Sequence, residues 1–200
     1  MLYLITLFAA FIGGRHSEST SPRIVAVGET RELSMPDAMW AALENHAPGF
    51  APFRVDDYSQ FLLPFLKPSP RKTVKWRYEM TERQVPFAVI GDFNGDNVPD
   101  VVVNGCSPTR CGPIAVLSRG KGYVAIDLRP GSKRNERDQP PMDGLNEDVL
   151  ALVKAGVVRS AWEPEPLRLK MDAVEEFYWG TSSTIYYYAG GTFKGYVTGD

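Results

Sequence analysis

Two hundred residues, 44% hydrophobic, 12% aromatic and 23% charged, suit one globular domain with a short appendage. A formal charge of −2 and a pI near 5.8 remove any electrostatic case for nucleic acid or an anionic membrane as partner. Sixteen prolines and eighteen glycines argue against a helical bundle and for many turns.

Met1 to Gly14 is apolar and stops at Arg15-His16-Ser17-Glu18. The run is shorter than the roughly 20 residues a spanning helix takes. It matches the apolar region of an export signal, although no Lys or Arg precedes it. A signal peptide over 1–14 is therefore expected, and with it a periplasmic or secreted chain with no stable membrane span after signal removal. A buried N-terminal strand or helix is the alternative. Residues 15–33 read as a flexible polar segment ahead of a single globular domain over 34–200.

Ser34 to His46 predicts a short helix, with Ser34 as cap and Pro36 and Asp37 in its first turn. Met39, Trp40 and Leu43 share one face, and Pro48-Gly49 ends it. A second helical piece is expected from Asp57 to Leu63, before Pro64. Val74 to Thr81 alternates as a strand does. Its Lys and Arg interleave with aromatics, but a strand sends them to opposite faces, and Glu79 and Glu82 dilute the charge. It reads as structural surface.

Pro86 to Ile90 and Val101 to Val103 are apolar strands on either side of an acidic loop. Ile114–Ser118 and Tyr123–Leu128 form a hairpin across a glycine turn. Residues 129–147 are charged and proline-rich and predict an exposed loop. Weaker segments near 148–154 and 166–171 precede Ala173–Tyr178, Thr184–Tyr188 and Thr192–Val197, a C-terminal meander. The expected class is α+β, mainly antiparallel sheet with one or two short N-terminal helices. No second acidic loop and no regular period occur, so a complete propeller is not expected.

The sharpest signal is Gly91-Asp92-Phe93-Asn94-Gly95-Asp96-Asn97-Val98-Pro99-Asp100. Oxygen-bearing side chains recur at Asp92, Asn94, Asp96 and Asp100, and Val98 is placed to offer a backbone carbonyl. Ca²⁺ takes six to eight oxygens at about 2.3–2.6 Å, and a bidentate Asp100 with one water would complete such a set. Gly95 and Asn97 tolerate the positive φ a tight loop needs. An EF-hand would place Glu at the twelfth position and Gly at the sixth, where this chain has Val103 and Asn97. The competing account is an Asx-rich turn whose carboxylates accept backbone N–H bonds without a metal.

Asp92, Asn94, Gly95, Asp96 and Asp100 resemble the calcium loop of FG-GAP/VCBS-type repeats, in which it joins two adjacent strands. Gly120–Tyr123 and Tyr187–Lys194 are similar to segments of small exported bacterial proteins of unassigned function that carry one such motif. The resemblance implies a bound Ca²⁺. With a single loop it does not extend to the adhesive role of complete propellers.

Cys106 and Cys111 are the only cysteines, with four residues between them, and an oxidising compartment would let them form a disulfide; two free thiols are the alternative. Zinc would need further ligands, and His16 and His46 are the only histidines. Gly-x-Ser-x-Gly, His-Glu-x-x-His and phosphate-loop patterns are absent. The carboxylate pairs Asp56/Asp57, Glu163/Glu165 and Glu175/Glu176 leave a glycosidase open. No catalytic residue is assigned. The expected function is an exported, non-enzymatic calcium-binding domain with a structural role or a protein or glycan partner. The alternative is a secreted or periplasmic hydrolase, on carbohydrate, with structural calcium.

Overall fold

The computed structural model describes residues 20–27, 30–58, 85–129, 148–178 and 182–198. Its centre is a sheet built around two long strands, β5 (Asp100–Cys106) and β6 (Cys111–Arg119). β6 continues antiparallel into β7 (Gly122–Asp127), while β5 pairs along its other edge with β3 (Ala51–Pro52) and β4 (Ala88–Gly91). β3 and β4 share that edge, one at each end. Gly105 permits this, because a Cβ there would lie 2.2 Å from the Ala51 carbonyl oxygen.

Alternation along these strands decides the layering. Val101, Val103, Ile114 and Val116 point to one face, where α1 (Asp37–His46) lays Met39 and Leu43 on them. Val102, Ala115 and Leu117 point to the other, against Leu150, Val174 and Phe193 of a second sheet. That sheet runs β13 (Thr192–Val197), β12 (Ser182–Ala189), β11 (Ala173–Tyr178), β8 (Asp148–Val153), all antiparallel. The order of layers is thus helix, sheet, sheet. A strand covered on both sides needs an almost continuous apolar run, which Val101-Val102-Val103 supplies. The fold is α+β and mainly antiparallel, and no closed barrel or propeller forms among the described residues.

Two small hairpins complete the described chain: β1 (Arg23–Val27) with β2 (Thr30–Ser34), and β9 (Gly156–Val158) with β10 (Leu167–Leu169). The first lies within the segment 15–33 read from the sequence as flexible, of which residues 20–27 and 30–33 are described. Ile24 and Leu33 face each other across the hairpin and pack on the helix-side core, a contact that outweighs the polar composition around them. Ser34 accordingly ends β2 and does not cap α1, whose N-terminal boundary residue is Pro36. A 3₁₀ turn covers Val55–Asp57, in which Asp57 accepts the Arg54 N–H at 2.6 Å; the helical piece expected from Asp57 to Leu63 lies, from residue 59 on, outside the described residues. Residues 1–14, 59–84 and 130–147 carry the expected signal, strand 74–81 and most of the long loop, and lie outside the described residues.

Candidate metal centre

Residues 92–99 connect β4 to β5, which are antiparallel neighbours in register Gly91↔Asp100. The loop folds onto its own acidic side chains. Asp92 Oδ1 accepts the N–H groups of Gly95 (2.7 Å) and Asp96 (3.1 Å), and its Oδ2 accepts that of Asn97 (3.0 Å). Asn94 Oδ1 accepts the Asp96 N–H at 3.0 Å, and Asp96 Oδ1 that of Val98 at 2.9 Å. Gly95 (φ 83°) and Asn97 (φ 63°) take the left-handed conformation that turns these N–H groups inward.

Asp100 sits beneath the loop with no exposed surface. Its Oδ2 accepts the N–H groups of Phe93 (3.0 Å) and Asn94 (3.3 Å), and its Oδ1 that of Ser118 (2.7 Å). Burial pushes this carboxyl up to about 6, against the pull of the Ser118, Phe93 and Asn94 bonds. Asp96 goes the other way. Its slight desolvation acts upward, but the Ser118 hydroxyl, the Val98 N–H and the Asn94 amide together hold it below the ordinary carboxylate range.

Two residues outside the motif complete the arrangement. Ser118 ends the apolar part of β6 and makes four bonds to the loop: its N–H donates to Asp100, its hydroxyl donates to Asp96 and accepts from Asn94 Nδ2 at 3.1 Å, and its carbonyl accepts from Asn94 Nδ2 at 2.7 Å. Asp172, just before β11, accepts the Asp92 N–H at 3.3 Å and the Lys154 ammonium at 2.9 Å, while its own N–H donates to the Asp92 carbonyl at 3.1 Å. Neither was assigned from the sequence. For Ser118 a signal existed: the β5–β6 register, Val101↔Val116, carries it opposite the end of the loop.

The structure thus gathers Asp92, Asn94, Asp96 and Asp100 in one hydrogen-bonded unit, with the Val98 side chain exposed at its rim. In this conformation the oxygens face loop donors. Among the described residues no three His, Cys, Asp or Glu side chains converge where a metal could be held. The loop oxygens are of the donor type a hard cation takes, but in this arrangement they do not converge on one point. A carboxylate has about four acceptor positions, and Asp92 and Asp96 each accept three bonds here. Among the described residues no Lys, Arg or His forms an ion pair with Asp92, Asp96 or Asp100.

The other sequence candidates separate. Cys106 and Cys111 face each other in the β5–β6 register and form a disulfide around the Ser107–Arg110 turn. Glu175 and Glu176 lie on opposite faces of β11. Glu175 accepts the Ser183 hydroxyl at 2.7 Å, and Glu176 is held in two bonds by Arg129. Arg129, expected at the start of an exposed loop, is largely buried between Glu176 and Asp148. Asp56 and Asp57 occupy the 3₁₀ turn, and Glu163 and Glu165 the exposed β9–β10 connection. His46 closes α1 and meets Asp127 at 2.9 Å; Asp127 also pairs with Arg110 at 2.7 Å. No hydroxyl or thiol joins that group among the described contacts.

No helix of the described residues is long and apolar enough to cross a membrane. Comparison with protein families, with curated proteins and with solved structures finds no match.

Proposed function

We propose that residues 92–100 bind Ca²⁺ and that the chain is an exported, non-enzymatic domain in which the ion locks the β4–loop–β5 unit. Its role at the cell envelope is structural or one of interaction. The observation that carries this reading is the missing cation: three carboxylates within nine residues have no basic partner among the described residues. Asp92, Asn94, Asp96 and Asp100, with the Val98 carbonyl, would hold the ion, which supplies a positive charge that the described residues do not. The Cys106–Cys111 disulfide supports an oxidising compartment.

Isothermal titration of the full chain with CaCl₂ tests the reading. At the affinity of extracellular modules, about 10⁻⁴ M, heat of binding is measurable at millimolar Ca²⁺ and disappears in Asp92→Asn/Asp96→Asn. Absence of heat, together with a melting temperature indifferent to Ca²⁺ and to chelator, would rule calcium out.

A further inference from the structure

A second feature lies beside the acidic loop. An open cleft of about 430 Å³ runs between the β6–β7 turn and the β12–β13 turn, within the range of small-ligand sites. Leu117, Val124 and Tyr188 form its apolar side. The Tyr188 ring is held there by edge-on packing against Phe193, with centroids 5.5 Å apart. Asn94, Asp96 and Ser118 form the polar side, and Arg119 stands at the turn. Arg119 makes no ion pair with a described carboxylate.

We infer that this cleft binds a neutral oligosaccharide. A sugar ring has an apolar C–H face and a rim of hydroxyls, which is the division the cleft offers. Tyr188 with Val124 meets the face, as aromatic rings do through their negative π surface. Asp96 and Asn94 accept hydroxyl protons, and the Arg119 guanidinium donates to ring or hydroxyl oxygens. One carboxylate and one guanidinium in the same lining cancel, so the site favours an uncharged ligand over a uronic acid or a cationic peptide. The inference deepens the reading of an interaction domain by naming its partner class. The site shares Asn94 and Asp96 with the metal loop, while Tyr188, Val124 and Arg119 lie outside it.

The test is a printed array of neutral cello-, malto-, xylo-, manno- and chito-oligosaccharides, with uronic-acid oligomers as the charged arm, probed with the full chain in Ca²⁺ and in chelator. Retention on at least one neutral series is expected. Tyr188→Ala should weaken it about tenfold and Arg119→Ala about threefold, by loss of one ring contact or one charged donor. Tyr188→Phe, which keeps the packing on Phe193, should retain most of it. Trp162→Ala, which removes an aromatic side chain 74% exposed on the β9–β10 connection, should leave retention unchanged. The inference is overturned by no retention on neutral glycans, by retention on uronic acids alone, or by retention that follows Trp162 and not Tyr188 and Arg119. Retention that survives in a chain showing no calorimetric calcium binding removes the ion and leaves the glycan site standing. Calcium binding without retention does the reverse.

Discussion

Glu176 and Asp148 share a guanidinium, whereas among the described residues Asp92, Asp96 and Asp100 share none. The first group lies where β7 ends, β8 begins and β11 crosses, with side chains at most 16% exposed. Arg129 binds Glu176 through Nε at 2.9 Å and through Nη2, and reaches Asp148 at 3.3 Å. Desolvation alone would lower the arginine's proton affinity, but the bonds to Glu176 and the field of both carboxylates raise it, so the charge is locked in. Burial pushes the neighbouring Tyr186 hydroxyl up to about 12, and the Glu176 charge adds to this. The second group is held by neutral N–H and O–H donors alone. Among the described residues charge is therefore balanced at one place and not at the other.

Arg129→Ala separates the two regions most strongly. It removes the guanidinium bound by the buried Glu176 and Asp148, a change that costs about 3–5 kcal/mol. Urea unfolding should show this loss equally with and without Ca²⁺, because the ion has no part in the cluster. A loss that Ca²⁺ repairs would mean the two regions are coupled, and the distinction drawn between them would fall.

Asp100 provides the next largest effect. Its folded value of about 6 lies above the ordinary carboxylate value. Below about pH 4 the group is protonated folded or unfolded, and its contribution is fully present. Between about pH 4 and 6 the unfolded chain ionises first, so the calcium-free protein loses stability as pH rises, by at most roughly 3 kcal/mol. Ca²⁺ should offset this loss, since it binds the ionised carboxylate. Asp100→Asn removes the slope. It also offers a single oxygen to the N–H groups of Phe93, Asn94 and Ser118, at a cost of about 1–3 kcal/mol. A slope unchanged in Asp100→Asn would show that another group titrates.

Much of the fold was legible because it rests on local pattern. The alternation and turn chemistry of 114–128 and 173–197 place β6, β7, β11, β12 and β13 close to where they lie, and the apolar run Val101–Val103 marks the strand that leaves the acidic loop. The β1–β2 hairpin was not legible, since Ile24 and Leu33 matter only once α1 and β5 give them a surface to cover. At the site, the spacing of Asp92, Asn94, Asp96 and Asp100 marks the loop, but which of their oxygens turn toward backbone donors depends on φ at Gly95 and Asn97. Ser118 and Asp172 escaped because strand pairing brings them in, from far along the chain. The same is true of Arg129 and Glu176, whose partnership spans 47 residues and reads in sequence as loop charge and strand charge.

Ser118 gives the smallest and most discriminating effect. Its hydroxyl donates to Asp96 Oδ2, so in the calcium-free protein Ser118→Ala loses one charge-assisted bond; the deficit is about 1 kcal/mol because water can reach the exposed Asp96. A bound cation would compete with that same oxygen. Removing the hydroxyl should therefore leave calcium affinity unchanged or slightly tighter, even as the calcium-free protein melts earlier, and the calcium-induced rise in melting temperature should grow. If the hydroxyl instead positions Asp96 for the ion, Ser118→Ala weakens binding and the rise shrinks. Paired calorimetry and thermal melts on the one variant decide between the two. In either outcome the Arg129 cluster should respond to neither substitution nor ion, because its positive charge is already part of the chain.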